Sequence, residues 1–86
     1  MEKLNKNAVG LSLGIIFLIV HLLWIIAVVG GFAETLIVWW NNSHFIHTNM
    51  TVTNFYIGTA LLTLIRAFIG GYIIGWIFAF IYNKFV

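Results

Sequence analysis

The chain has no cysteine and no proline, and among its 86 residues only four are Lys or Arg and two are Asp or Glu. Without cysteine it can build neither a disulfide nor a thiolate metal site. Without proline, the usual helix breaker is missing from its long apolar stretches. At 7% charged and 63% hydrophobic residues there is too little polar surface to cover a soluble domain. A net charge of +2 is too small to suggest nucleic acid as a partner. Also missing are a phosphate-binding glycine loop, a nucleophile with its base, paired carboxylates and a Cys-x-x-Cys-His haem motif. These gaps point away from an enzyme and from any cofactor. They leave a small, single-domain integral membrane protein as the expectation.

What is present is two apolar runs. Residues 55–82 contain one charge, Arg66, and about 20 helical residues suffice to cross hydrocarbon. Residues 8–40 contain only His21 and Glu34 as ionisable groups. That run is too long for one upright span and too short for two spans with a turn. Gly30-Gly31 is the natural place for a bend, because glycine weakens helix. A polar head, 1–7, carries Lys3 and Lys6, and Asn7 is placed to cap the first helix. An outer polar loop, 41–54, has no Lys, Arg, Asp or Glu, and a short tail, 83–86, carries Lys84.

A cleaved signal peptide is the alternative for the first run, given the basic head and Gly31-Phe32-Ala33. Its apolar region is far longer than such peptides use, so a retained helix is expected. Lysines at both ends and an uncharged loop place both termini in the cytoplasm by the positive-inside tendency. Trp39, Trp40, Phe55 and Tyr56 mark the outer interface, Tyr82 and Phe85 the inner one. The expected fold is an all-α membrane protein, an antiparallel two-helix transmembrane hairpin in the cytoplasmic membrane.

Small residues supply the packing signal. Thr59, Thr63, Ala67, Gly71, Gly75 and Ala79 recur every four positions, and Gly10 and Gly14 share that spacing. Small side chains let membrane helices approach closely. Gly30, Gly31 and Gly70 extend the candidate packing faces. The two glycine pairs suit either each other or a neighbouring subunit. As straight helices the runs would measure about 50 and about 42 Å, against about 30 Å of hydrocarbon. The excess apolar length at the outer end needs a cover, which points to copies of the same chain or to a larger membrane complex.

Glu34 and Arg66 would lie about 9 and about 16 Å below the outer turn by helical rise. An arginine side chain bridges that difference, so an intramembrane ion pair is the first expectation, within one hairpin or between neighbours. A pore lining or proton path is the second, because ionisable groups inside membranes are often functional. His21 is alone, and a backbone carbonyl is a commoner partner for such a histidine than a proton-transfer role. His44 and His47 lack companion ligands, so a solvated loop is expected there and no metal. Asn41-Asn42-Ser43 and Asn49-Met50-Thr51 both match the N-glycosylation acceptor pattern in the outer loop.

The start, Lys3-Leu4-Asn5 into Ala8 and Gly10-Leu11-Ser12-Leu13-Gly14, resembles the opening of short prokaryotic two-helix proteins described as bacteriophage holins. The end, Phe68-Ile69-Gly70-Gly71 through Trp76 to Tyr82-Asn83-Lys84-Phe85, resembles the close of the same group. The resemblance covers well under half the chain. It implies homo-oligomers that permeabilise the cytoplasmic membrane. The group commonly carries an acidic residue before the glycines of the second helix, where this chain has Arg66. The proteolipid ring subunit of rotary ATPases is a hairpin of similar size, but its carboxylate lies in the second helix and its loop is basic. Two expectations stand: a self-assembling, holin-like hairpin and an accessory subunit on a larger membrane complex.

Overall fold

A computed structural model describes residues 2–47 and 51–86. The described residues are helical without strands, in three elements: α1, Lys6–Gly30; α2, Ala33–Ser43; and α3, Ile57–Asn83. With 25 and 27 residues, α1 and α3 measure about 38 and about 40 Å. Both are long and apolar enough to cross a membrane. Their boundaries differ from the expected 8–40 and 55–82 at every end.

The first run is two helices because Gly31 ends α1. Its φ of 84° is left-handed, a conformation open to glycine without steric penalty. The Gly31 amide donates to Val28 O at 3.2 Å and the Phe32 amide to Ala27 O at 3.1 Å. These two bonds satisfy carbonyls that the ending helix leaves free. The Phe32 ring folds back on Gly30, where an added Cβ would stand 2.8 Å from the ring edge. The glycine pair therefore caps a helix and seats a phenylalanine; neither glycine joins the interface with α3.

Placed end to end in line, α1 and α2 would run about 57 Å, whereas the longest dimension of the molecule is 46 Å. Its other dimensions are 32 and 15 Å, so the chain is one helix layer thick with α2 set off to the side. Among the described residues α2 touches α1 and stays clear of α3.

At the other end, Asn5 caps α1, its Oδ1 accepting from the Ala8 amide at 3.0 Å. The expected cap, Asn7, lies inside the first turn, and its Oδ1 instead accepts from the Tyr72 hydroxyl at 2.7 Å. Leu4 and Asn83 tie the two ends of the chain together. The Leu4 amide donates to Asn83 Oδ1 at 2.8 Å, and Asn83 Nδ2 donates to Leu4 O at 2.9 Å.

The core is unusual in what fills it. The buried apolar side chains are Ala27, Ala33, Ala60, Ala67 and Ala79, and no large side chain is fully buried among the described residues. Isoleucines 15, 19, 65, 69, 73 and 81 are exposed on α1 and α3. A water-soluble fold puts its large apolar groups inside and its polar groups outside. Here the small residues face in and the large apolar ones face out, the distribution suited to helices surrounded by lipid.

Candidate functional site

The α1–α3 seam gathers most of the residues that the sequence marks. A Cβ added to Gly71 would stand 2.6 Å from Leu13 O and 2.8 Å from Gly14 Cα. One added to Gly75 would stand 2.7 Å from Val9 O and 2.9 Å from Gly10 Cα. In return, Gly14 abuts the Phe68 carbonyl and ring, and Gly10 abuts those of Tyr72. All four glycines are buried, and Ala67 and Ala79 continue the row on α3. Backbone lies on backbone, where no side chain can swing aside. The two glycine pairs thus meet each other within the chain, which takes this face away from any neighbour.

The four-residue row does not hold along all of α3. Successive steps of four drift round the helix, because 3.6 residues complete a turn. Towards the start of α3 the buried residue is accordingly Ala60, while Thr63 is half-buried and Thr59 exposed. Both threonines border a cleft of about 300 Å³, with Trp24, Ile37, Val52 and Tyr56 among the other walls. Gly70 faces open space, with nothing within 4 Å of an added Cβ.

Glu34 and Arg66 are not brought together within the chain. Glu34 stands in the first turn of α2, and its Oε1 accepts from the Val52 amide at 3.2 Å. The break at Gly31 removes Glu34 from the α1 axis, and with it the shared depth that would have allowed pairing inside one hairpin. Arg66 is exposed on α3, on the same flank as Thr59 and Gly70. No ion pair, hydrogen bond or ring contact engages it among the described residues.

His21 is half-buried in α1 with Nδ1 2.8 Å from Phe17 O. A carbonyl only accepts, so Nδ1 carries the proton in that contact. His44 likewise turns back on its own helix: Nδ1 lies 2.8 Å from Trp40 O and the ring stacks on Trp40 at 4.1 Å. Among the described residues no three metal-ligating side chains come together. Asn41 belongs to α2 and is 6% exposed, which withdraws its side chain from the open-loop setting that its acceptor pattern requires. Asn49 lies outside the described residues.

The sequence reading missed the polar fastening of the end near the chain termini. Asn83 on Leu4 and Tyr72 on Asn7 join the two helices there. Lys6 Nζ lies 5.2 Å from the Trp76 ring centre and 5.7 Å from that of Phe80, and Lys84 Nζ lies 5.0 Å from the Phe80 centre. The available signal was the run of Asn and Lys at both ends of a chain otherwise poor in polar residues. Compared with known protein families, curated proteins and solved structures, the chain matches none.

Proposed function

We propose that the chain is a non-catalytic integral membrane protein whose role is to associate with other membrane-embedded chains. In this reading α1 and α3 are an antiparallel transmembrane hairpin with both ends on the cytoplasmic side. α2 rests along the outer surface, where exposed Trp39 and Trp40 suit the lipid–water boundary. The turn at Gly31 takes over the apolar length of the first run that would otherwise project beyond the bilayer, whereas α3, at about 40 Å, still exceeds about 30 Å of hydrocarbon.

The observation that carries the proposal is Arg66. An arginine at mid-span disfavours membrane insertion by about 2.5–3.5 kcal/mol on biological scales. Here it stands exposed on an apolar helix with no partner within the described chain. Beside it Gly70 leaves the backbone open to close approach. A neighbouring helix that docks on this flank offers the guanidinium a carboxylate or carbonyl and shields it from lipid. The neighbour is a second copy, with an accessory place on a larger complex as the alternative.

Because the chain has no native cysteine, Gly70→Cys gives a single thiol on that flank. Oxidation in native membranes should link Gly70→Cys chains to each other, and Ile65→Cys, a step round the helix, should link far less. Cross-links to a larger host protein would select the accessory reading. If neither product forms, association through this flank is wrong. The resemblance of the two ends to holin-like proteins favours a second reading, in which the oligomer permeabilises the membrane. Release of a trapped dye from vesicles on adding the purified chain would distinguish it from a passive assembly.

A further inference from the structure

Three lysines from opposite ends of the sequence meet at the inner end of the hairpin. Lys3, Lys6 and Lys84 line one cavity of about 180 Å³, together with Asn83 and Phe80. The Leu4–Asn83 bonds hold the two chain ends together there. Lys6 and Lys84 both stand over the Phe80 ring, and Lys6 also over Trp76. Among the described residues no carboxylate makes an ion pair with any of the three. Three like charges gathered without a counter-ion repel one another. The positive end of the α1 dipole and the negative end of the α3 dipole lie side by side there and offset each other, so the lysines carry the charge of the cradle.

We propose that this cradle binds the phosphate headgroup of an anionic phospholipid of the cytoplasmic leaflet. The inference rests on the membrane reading above, which puts this end at the inner surface. The cations suit a phosphodiester bearing net negative charge. The ring of Phe80 gives the cradle an apolar wall beside the lysines, and Trp76, stacked on Phe80 at 5.8 Å one turn further along α3, continues that wall towards the region of the acyl chains. A soluble anion has no use for those apolar walls, which is why a lipid is the assigned occupant. Basic pockets at the cytoplasmic ends of transmembrane helices recognise headgroups in this way.

Native mass spectrometry of the full chain, mixed in detergent with phosphatidylglycerol and phosphatidylcholine, tests this. One phosphatidylglycerol should be retained in preference to phosphatidylcholine. Replacing Lys3, Lys6 and Lys84 by Gln should lower that preference roughly fivefold for each lysine removed, while the Lys→Arg triple variant keeps it. Phe80→Leu leaves every charge in place and should still weaken retention, because the platform is lost. Equal retention of the two lipids would overturn the assignment. So would a Phe80→Leu variant that binds as well as the parent, since diffuse attraction would then explain everything. Displacement by inorganic phosphate would assign the cradle to a soluble anion and equally end the lipid proposal. Failure to insert into vesicles of either lipid would instead bring down the membrane reading itself.

Discussion

At the end of the α1–α3 pair near the chain termini the two backbones touch: Gly71 rests on Leu13 and Gly14, Gly75 on Val9 and Gly10. At the other end Ala27 and Ala60 are still buried, but the contact gives way to a cleft. Trp24, Tyr56, Thr59 and Thr63 border an open cleft, and the chain turns away from α3 into α2. The end near the termini is also fastened by Asn83 and Tyr72 through side-chain hydrogen bonds. At the other end Glu34 accepts from the Val52 amide. One end is a close-packed joint and the other an open one. Local opening favours regions with few packed contacts and exposed polar bonds. Motion should therefore concentrate at the end with the cleft, and resistance to unfolding at the end near the chain termini.

Substitution of a seam glycine breaks this contrast most directly. Gly71→Leu should destabilise the hairpin by about 3 kcal/mol or more, because the obstacle is backbone and cannot move aside. Energy transfer between labels on α1 and α3, followed through a denaturing-detergent titration, should report the helices separating earlier. An unchanged midpoint would mean that the seam is not in contact. A smaller loss is expected for Asn83→Ala, about 1–2 kcal/mol for two half-buried hydrogen bonds, seen as faster amide exchange in residues 4–9.

Gly31→Ala probes the open end. Nothing crowds the position, so only the left-handed backbone resists, at about 1 kcal/mol. Spin-label distances from α2 to α3 should broaden while the midpoint of α1–α3 separation barely moves; coupled loss of both would erase the distinction between the two ends. Gly70→Ala should change hairpin stability by less than about 0.5 kcal/mol, because its Cβ meets empty space. A loss as large as that at Gly71 would place Gly70 in the seam and refute the open flank.

The contrast also explains what was readable in advance. Four-residue spacing identified Gly10, Gly14, Ala67, Gly71, Gly75 and Ala79, because small residues in an apolar helix have few uses other than close approach. Thr59 and Thr63, marked by the same spacing, lie outside the α1–α3 seam, since a four-residue step drifts and the contact passes to Ala60. The pairing of Glu34 with Arg66 assumed a continuous first helix. A glycine pair inside an apolar run signals a weak point, but whether it bends the helix or ends it depends on a single φ value. The cap at Asn5 in place of Asn7 is a shift within one turn, with Asn7 taken by a residue 65 positions away.

Composition and order alone determined that this chain is helical, with two stretches long and apolar enough to cross hydrocarbon. In an apolar stretch of that length a helix satisfies each backbone group within the segment, without a partner strand. Only the tertiary structure decided that the glycines spend themselves on each other, that α2 leaves the axis, and that Arg66 is left facing outward. Those outcomes turn on which faces meet at which register, a property of two helices together that neither sequence segment carries by itself.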